Sequence, residues 1–156
     1  MSEYYLGLKW LHVVGATVLF GTGIGTAFHF WHALRTGSVA AIAASARATV
    51  LADWLFTLVS GVLQPATGVL LALAAGYPLS STWIVASVAL YVLAGACWVP
   101  VVFIQLRIRA IAEQCERDHS APGEEFDSLA RRWFYLGWPA FIALAIVLWL
   151  MVARPA

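Results

Sequence analysis

The sequence predicts an all-α polytopic membrane protein, a bundle of four transmembrane helices. Three observations carry that reading. First, 62% of the 156 residues are hydrophobic and only 11% are charged, about half or less of the charged share in soluble domains. Second, Asp, Glu, Lys and Arg are absent from three long stretches: between Lys9 and Arg35, between Asp53 and Arg107, and between Arg132 and Arg154. A membrane-spanning helix needs about 20 mostly apolar residues, so the outer stretches hold one span each and the middle one holds two. Third, the middle stretch is broken by Gly76-Tyr77-Pro78-Leu79-Ser80-Ser81, a run of turn formers.

The elements follow in order. Helix 1 is expected over roughly 5–32, helix 2 over 48–75, helix 3 over 82–106 and helix 4 over 133–153, all in one domain covering 1–156. The segment from Arg107 to Glu116 reads as a continuation of helix 3 beyond the membrane. Asp118-His119-Ser120-Ala121-Pro122-Gly123 then breaks it, and Glu124 to Arg132 begins the approach to helix 4. The apolar runs are too long and too uniform for the alternating strands of a membrane barrel. The N-terminus does not look like a cleaved signal peptide: Glu3 precedes any basic residue, and the apolar stretch outruns an h-region.

Charge and composition exclude several function classes. A disordered chain and a basic nucleic-acid-binding domain are excluded, so no nucleic-acid partner is expected. Eight acidic and nine basic residues do not cover the surface of an ordinary soluble enzyme. Membrane lipid is the expected partner for most of the surface. Arg35 and Arg47 follow helix 1, and Arg107, Arg109, Arg117, Arg131 and Arg132 follow helix 3. The hairpin between helices 2 and 3 has no basic residue. The positive-inside rule puts both arginine-bearing segments in the cytoplasm and both termini outside. Trp10, Trp31, Trp54, Trp83, Trp133 and Trp149 sit near the expected helix ends, where amphipathic rings suit the interface. Cys97 and Cys115 fall in different environments, within the membrane and in the cytoplasm, and read as reduced.

Polar groups inside a bilayer are costly and call for a partner or a role. In helix 1, His12, Ala16, Leu19, Gly23, Thr26 and Phe30 lie along one line, with Gly15 at its edge. The small residues permit close approach by a helix or a flat cofactor. Lys9 lies one turn before His12 on an adjacent face, where its stem can snorkel outward. The opposite face carries Gly21, Gly25, His29 and His32. Gly21 and Gly25 form a GxxxG pattern, which makes a homodimer plausible. His29 and His32 have a spacing that could serve a metal, but no Cys or carboxylate completes a tetrahedral set, and interfacial histidines are the preferred reading.

In helix 2, Asp53, Thr57, Ser60, Gln64 and Thr67 share one face, with Gly61 and Gly68 beside it. Pro65 removes a backbone hydrogen bond and frees a carbonyl. The stripe is read either as interhelical glue or as the lining of a cofactor pocket. Asp53 is expected to pair with Arg47 or with an arginine of the third loop. Helix 3 places Ser87, Tyr91, Gly95, Trp98 and Gln105 on one face. Helix 4 opens on Arg131-Arg132-Trp133-Phe134-Tyr135, an anchoring collar. No Walker loop, GxGxxG-strand unit, HExxH or GxSxG occurs.

Tyr5-Leu6-Gly7-Leu8-Lys9-Trp10-Leu11-His12-Val13-Val14, followed by a small-residue helix, resembles the opening of the HemJ-type protoporphyrinogen oxidases. The His-bearing helix is also comparable to that of CopD-type copper-resistance domains. Over nearly its full length the chain looks more like a bacterial family of four-helix membrane proteins known as a domain of unknown function. The stretches that carry this likeness are Ser60 to Pro65, Trp98-Val99-Pro100, Trp133 to Phe141 and Trp149 to Val152.

The HemJ resemblance implies haem b, with His12 as the site residue and Lys9 as its companion. An imidazole is a good iron ligand, and a helix bundle can hold a porphyrin. The expected cofactor-binding set is His12, Lys9, Gly15, Ala16, Gly23 and Gln64, with His12 as the iron ligand. His29 lies about 25 Å farther along the helix and cannot reach the same iron. The leading expectation is a b-type haem protein of a bacterial inner membrane with a redox or electron-transfer role, exchanging electrons with a quinone or small-molecule oxidant. The alternatives are a HemJ-like protoporphyrinogen oxidase and a non-catalytic structural or lipid-interacting bundle.

Overall fold

The computed structural model describes residues 3–155, and these form four long helices: α1 (Glu3–Thr36), α2 (Val39–Ala74), α3 (Thr82–Asp118) and α4 (Glu124–Ala153). All four are long and apolar enough to cross a membrane. No strand occurs among the described residues. The expected fold class is therefore present, but every helix is longer than the apolar run that announced it.

The largest difference is at α2. The segment expected as a loop up to Arg47 is helical from Val39, so α1 and α2 are joined through only Gly37 and Ser38. Ser38 caps the new start, its hydroxyl accepting from the Ala41 amide at 3.3 Å, which satisfies one of the unpaired first-turn donors. The run from Val39 to Ala48 is rich in alanine, the best helix former. Gly37 provides the positive φ, 67°, that the reversal requires. At the far end of the molecule α3 runs to Asp118 and stops where His119 turns left-handed, φ 51°. α4 begins at Glu124, nine residues before the expected start, with Glu124, Glu125 and Asp127 in its first turn, where acidic groups suit the helix dipole.

α2 is interrupted by a single π-helical turn over Asp53–Thr57. Such turns hold one extra residue relative to the α-helical count.

The packed core lies at the end of the bundle that carries the arginine-bearing segments. Phe30 of α1, Ile42, Ala43 and Ala46 of α2, Val101, Ile108 and Ala112 of α3, and Phe126, Ala130 and Trp133 of α4 form one buried cluster. Small residues let the helices close up there, and Phe30 meets the Trp133 ring edge-on at 5.4 Å between centroids. Toward the opposite end the helices associate mainly in two pairs, α1 with α2 and α3 with α4, while α1 meets α4 at few positions. Phe20 stacks on Phe141 at 4.6 Å as one of those meeting points.

Much of the remaining surface is apolar and exposed. Trp10, Trp31, Trp54 and Trp149 are exposed, in line with interfacial anchoring. Trp133 is not an anchor: it is buried, because α4 starts earlier and carries this residue into the core.

Candidate functional site

Two polar constellations bridge the helices. The first joins α1 to the half of α2 beyond the π turn. Gln64 and Thr67 are buried on α2, one turn apart. The Gln64 amide donates to the backbone carbonyl of His12 at 2.9 Å. The Thr67 hydroxyl lies 2.7 Å from His12 Nδ1 and 2.7 Å from the carbonyl of Leu63.

The direction of these bonds follows from donor counting. A hydroxyl has one proton, and a carbonyl can only accept. A Thr67 hydroxyl that donates to Leu63 accepts from Nδ1–H of His12. In the neutral ring the lone pair then sits on Nε2, which makes no hydrogen bond among the described residues. The imidazole is held at one nitrogen and free at the other, the arrangement found in metal-ligating histidines.

Two glycines make room for this clasp. A Cβ on Gly15 would stand 2.5 Å from Gln64 Nε2, and one on Gly68 would stand 3.3 Å from Cε1 of His12. At Gly15 a side chain would displace the Gln64 amide, and at Gly68 it would crowd the His12 ring. Thr67 and Gly68 were visible in the sequence as members or neighbours of a polar stripe. Nothing in the spacing of α2 alone assigned them to His12, because a stripe names a face and not the helix it meets.

The expected site residues fall into two groups. His12, Gly15 and Gln64 come together as described. Ala16 is half-buried beside them, while Lys9 is exposed one turn away. Gly23 is exposed, with no atom within 4 Å of where its Cβ would stand. It lies about 16 Å along the helix from His12, apart from the clasp.

The fit to haem b can be tested on these contacts. His12 Nε2, unpartnered among the described residues, is the atom that would hold the iron. Gly15 does not offer a surface for the macrocycle, because Gln64 already covers it. Ala16 and the outer edge of α1 are the part of the expected cradle left open. No group of three His, Cys, Asp or Glu residues able to hold a bare metal ion occurs among the described residues. His29 is engaged elsewhere, its Nδ1 2.8 Å from the buried hydroxyl of Ser45 on α2, and His32 stacks on Phe28.

The second constellation sits at the π turn, near the packed core. Asp53 is buried and accepts from the Thr57 hydroxyl at 2.7 Å and from the Gln105 amide of α3 at 2.7 Å. Gln105 Oε1 accepts from Trp133 Nε1 of α4 at 3.3 Å. The indole can only donate, which fixes the orientation of the Gln105 amide and presents its NH₂ to Asp53. The expected pairing of Asp53 with Arg47 is corrected: Arg47 bonds Glu116 at 2.9 Å instead. Arg47 is half-exposed on α2, and an arginine stays solvated more cheaply than it follows a carboxyl into the bundle. Beside this network Phe30, Ala46, Thr49, Gln105, Ile108 and Trp133 enclose a cavity of about 10 Å³.

A third contact explains a helix-breaking residue. Pro65 has no amide proton to give to the carbonyl four residues back, which is that of Gly61. The Tyr91 hydroxyl of α3 donates to that carbonyl at 2.6 Å, so the bond lost within α2 is replaced by one between helices.

Comparisons with curated proteins and with solved structures find no match. The family described as "predicted integral membrane protein (DUF2269)" matches residues 6–155. Four apolar helices and a match over nearly the whole chain place this protein in that family of integral membrane proteins.

Proposed function

We propose that this membrane protein binds b-type haem through His12 Nε2 and has a redox role, passing electrons to or from a quinone or small-molecule oxidant. One observation carries the reading. Thr67 engages Nδ1 of His12, and Nε2 is left without a hydrogen-bond partner among the described residues. Bound haem would supply an iron that changes oxidation state. The chain's own residues would hold it: His12 as ligand, Thr67 as the group that orients the ring, and Lys9 as a cation for a propionate. The open edge at Ala16 favours a porphyrin lying against the outside of α1.

The proposed setting is a bacterial inner membrane with both termini on the periplasmic side. Arg47, Arg107, Arg109, Arg117, Arg131 and Arg132 support this, since they gather at one end of the bundle. Gly21 and Gly25 have open space around them, which supports a second copy docking along α1.

The test is an absorption spectrum of the detergent-purified protein, oxidised and then reduced with dithionite. A Soret band with sharpened reduced bands is expected, and it should be lost in His12→Ala. Thr67→Val should keep the haem and raise its midpoint potential, because Nδ1–H loses its acceptor and the ligand becomes less basic. Full haem content in His12→Ala would sink the ligand assignment.

A second reading is favoured by the Gln64 bond to the His12 carbonyl. In it His12, Gln64 and Thr67 only fasten α1 to α2 in a non-catalytic bundle. That reading expects colourless protein even after expression with added haem precursor. The HemJ-like alternative expects protoporphyrinogen turnover by haem-loaded protein, and its absence would remove that alternative.

A further inference from the structure

At the end of the bundle where α4 finishes, Tyr77, Ser80, Thr82, Trp83 and Arg154 wall a surface concavity of about 440 Å³. Among the described residues, no carboxylate lines it. Arg154 ends α4 in a left-handed conformation, φ 42°, which turns its side chain back across the helix end. Its Nη1 donates to the Tyr77 hydroxyl at 2.7 Å and its Nε to the Met151 carbonyl at 3.3 Å. The guanidinium also lies over the Tyr77 ring, 5.4 Å from its centroid. Tyr77 in turn meets Trp83 edge-on at 5.5 Å.

Two of the five guanidinium N–H groups are used by these bonds, and three are left to donate. The Ser80 and Thr82 hydroxyls make no hydrogen bond among the described residues, while Ser81 donates to Pro78. A fixed cation with spare donors, beside two unpartnered hydroxyls, selects an anion with several acceptor oxygens. Exposed Leu79 lies on the hairpin between the lining residues Pro78 and Ser80. The concavity thus has an apolar side chain beside it, as a lipid headgroup site at the end of a membrane bundle would.

We infer that this concavity binds the phosphodiester of an anionic lipid headgroup, with Arg154 as the anchoring cation. The site is independent of the haem reading and lies on different residues.

The experiment uses the full chain in a nonionic detergent. Thermal unfolding is followed while short-chain phosphatidylglycerol, phosphatidylcholine of the same chain length, or inorganic phosphate is added. Phosphatidylglycerol should raise the unfolding temperature of the wild type. Arg154→Gln should shift the midpoint of that titration by about tenfold or more, and Arg154→Lys should recover part of it. Tyr77→Phe keeps the charge but frees Nη1, and its loss should be smaller. An unchanged midpoint in Arg154→Gln would overturn the proposal, as would an equal response to phosphatidylcholine. Protection by inorganic phosphate with the same dependence on Arg154 would keep the anion site and move its source from lipid to free phosphate.

Discussion

Replacing Gln105 by leucine tests the network that ties three helices together near the π turn. Gln105 is 4% exposed, and its neighbours Asp53 and Trp133 are also buried. Leucine is close to glutamine in size, so the change removes two hydrogen bonds with little change in packing. The 2.7 Å bond to Asp53 is the stronger of the two, and the 3.3 Å bond from Trp133 the weaker. Each leaves a buried group without its partner, at about 1–3 kcal/mol apiece in soluble proteins. Measured interhelical bonds in membranes average nearer 0.6 kcal/mol and reach about 1.7. At the membrane values, two bonds put the loss at about 1–3 kcal/mol.

The assay is reversible unfolding in mixed micelles, with helicity as the signal. A double-mutant cycle adds the specific test. Trp133→Phe in the wild type strands Gln105 Oε1. In the Gln105→Leu background it instead removes an indole N–H that is already stranded. The second substitution should therefore cost about 1 kcal/mol less in that background. A loss below about 0.5 kcal/mol for Gln105→Leu, or strict additivity in the cycle, would refute the reasoning.

Two further perturbations follow from the contacts between α1, α2 and α3. Tyr91→Phe should cost about 1 kcal/mol by stranding the Gly61 carbonyl. The cost should shrink in a Pro65→Ala background, where the amide of residue 65 again reaches that carbonyl; equal costs in both backgrounds would show that the tyrosine bond does not replace the missing one. Gly15→Ala should push the Gln64 amide off the His12 carbonyl and cost about 1 kcal/mol. Adding Gln64→Ala to it should cost almost nothing more in the same unfolding assay, and a full second loss would show that the two residues act separately.

The four helices were legible because apolar runs of membrane length leave few other solutions. The starts of α2 and α4 were not. Charge marks where a helix leaves the lipid, and helical hydrogen bonding does not stop there. The alanine-rich run after Gly37 and the acidic start of α4 both continue helices into water. The misreading of Trp133 as an anchor has the same origin.

Within the membrane, the sequence marked His12, Gln64 and Asp53 as polar groups that need partners, and all three have them. Which partners they take was hidden. A 3.6-residue period identifies a face of one helix, but the helix opposite depends on how all four pack. The pairing of Asp53 with Gln105 rather than Arg47 is a case of this. It rests on a buried amide offered from α3 and oriented by an indole from α4, information that no window along α2 contains.

The π turn over Asp53–Thr57 has a consequence for how α2 tolerates insertion and deletion. One residue advances a helix by about 1.5 Å and rotates it by about 100°. At the start of the turn α2 faces Gln105 with Asp53; after it, α2 faces His12 with Gln64 and Thr67. The extra residue therefore sets the phase between the two sites. Deleting a single residue there would leave a regular α-helix of ample length to span a bilayer. It would also swing one site away from its partner by roughly a quarter of a revolution. The two ends of α2 would remain separately sound and become mutually out of step.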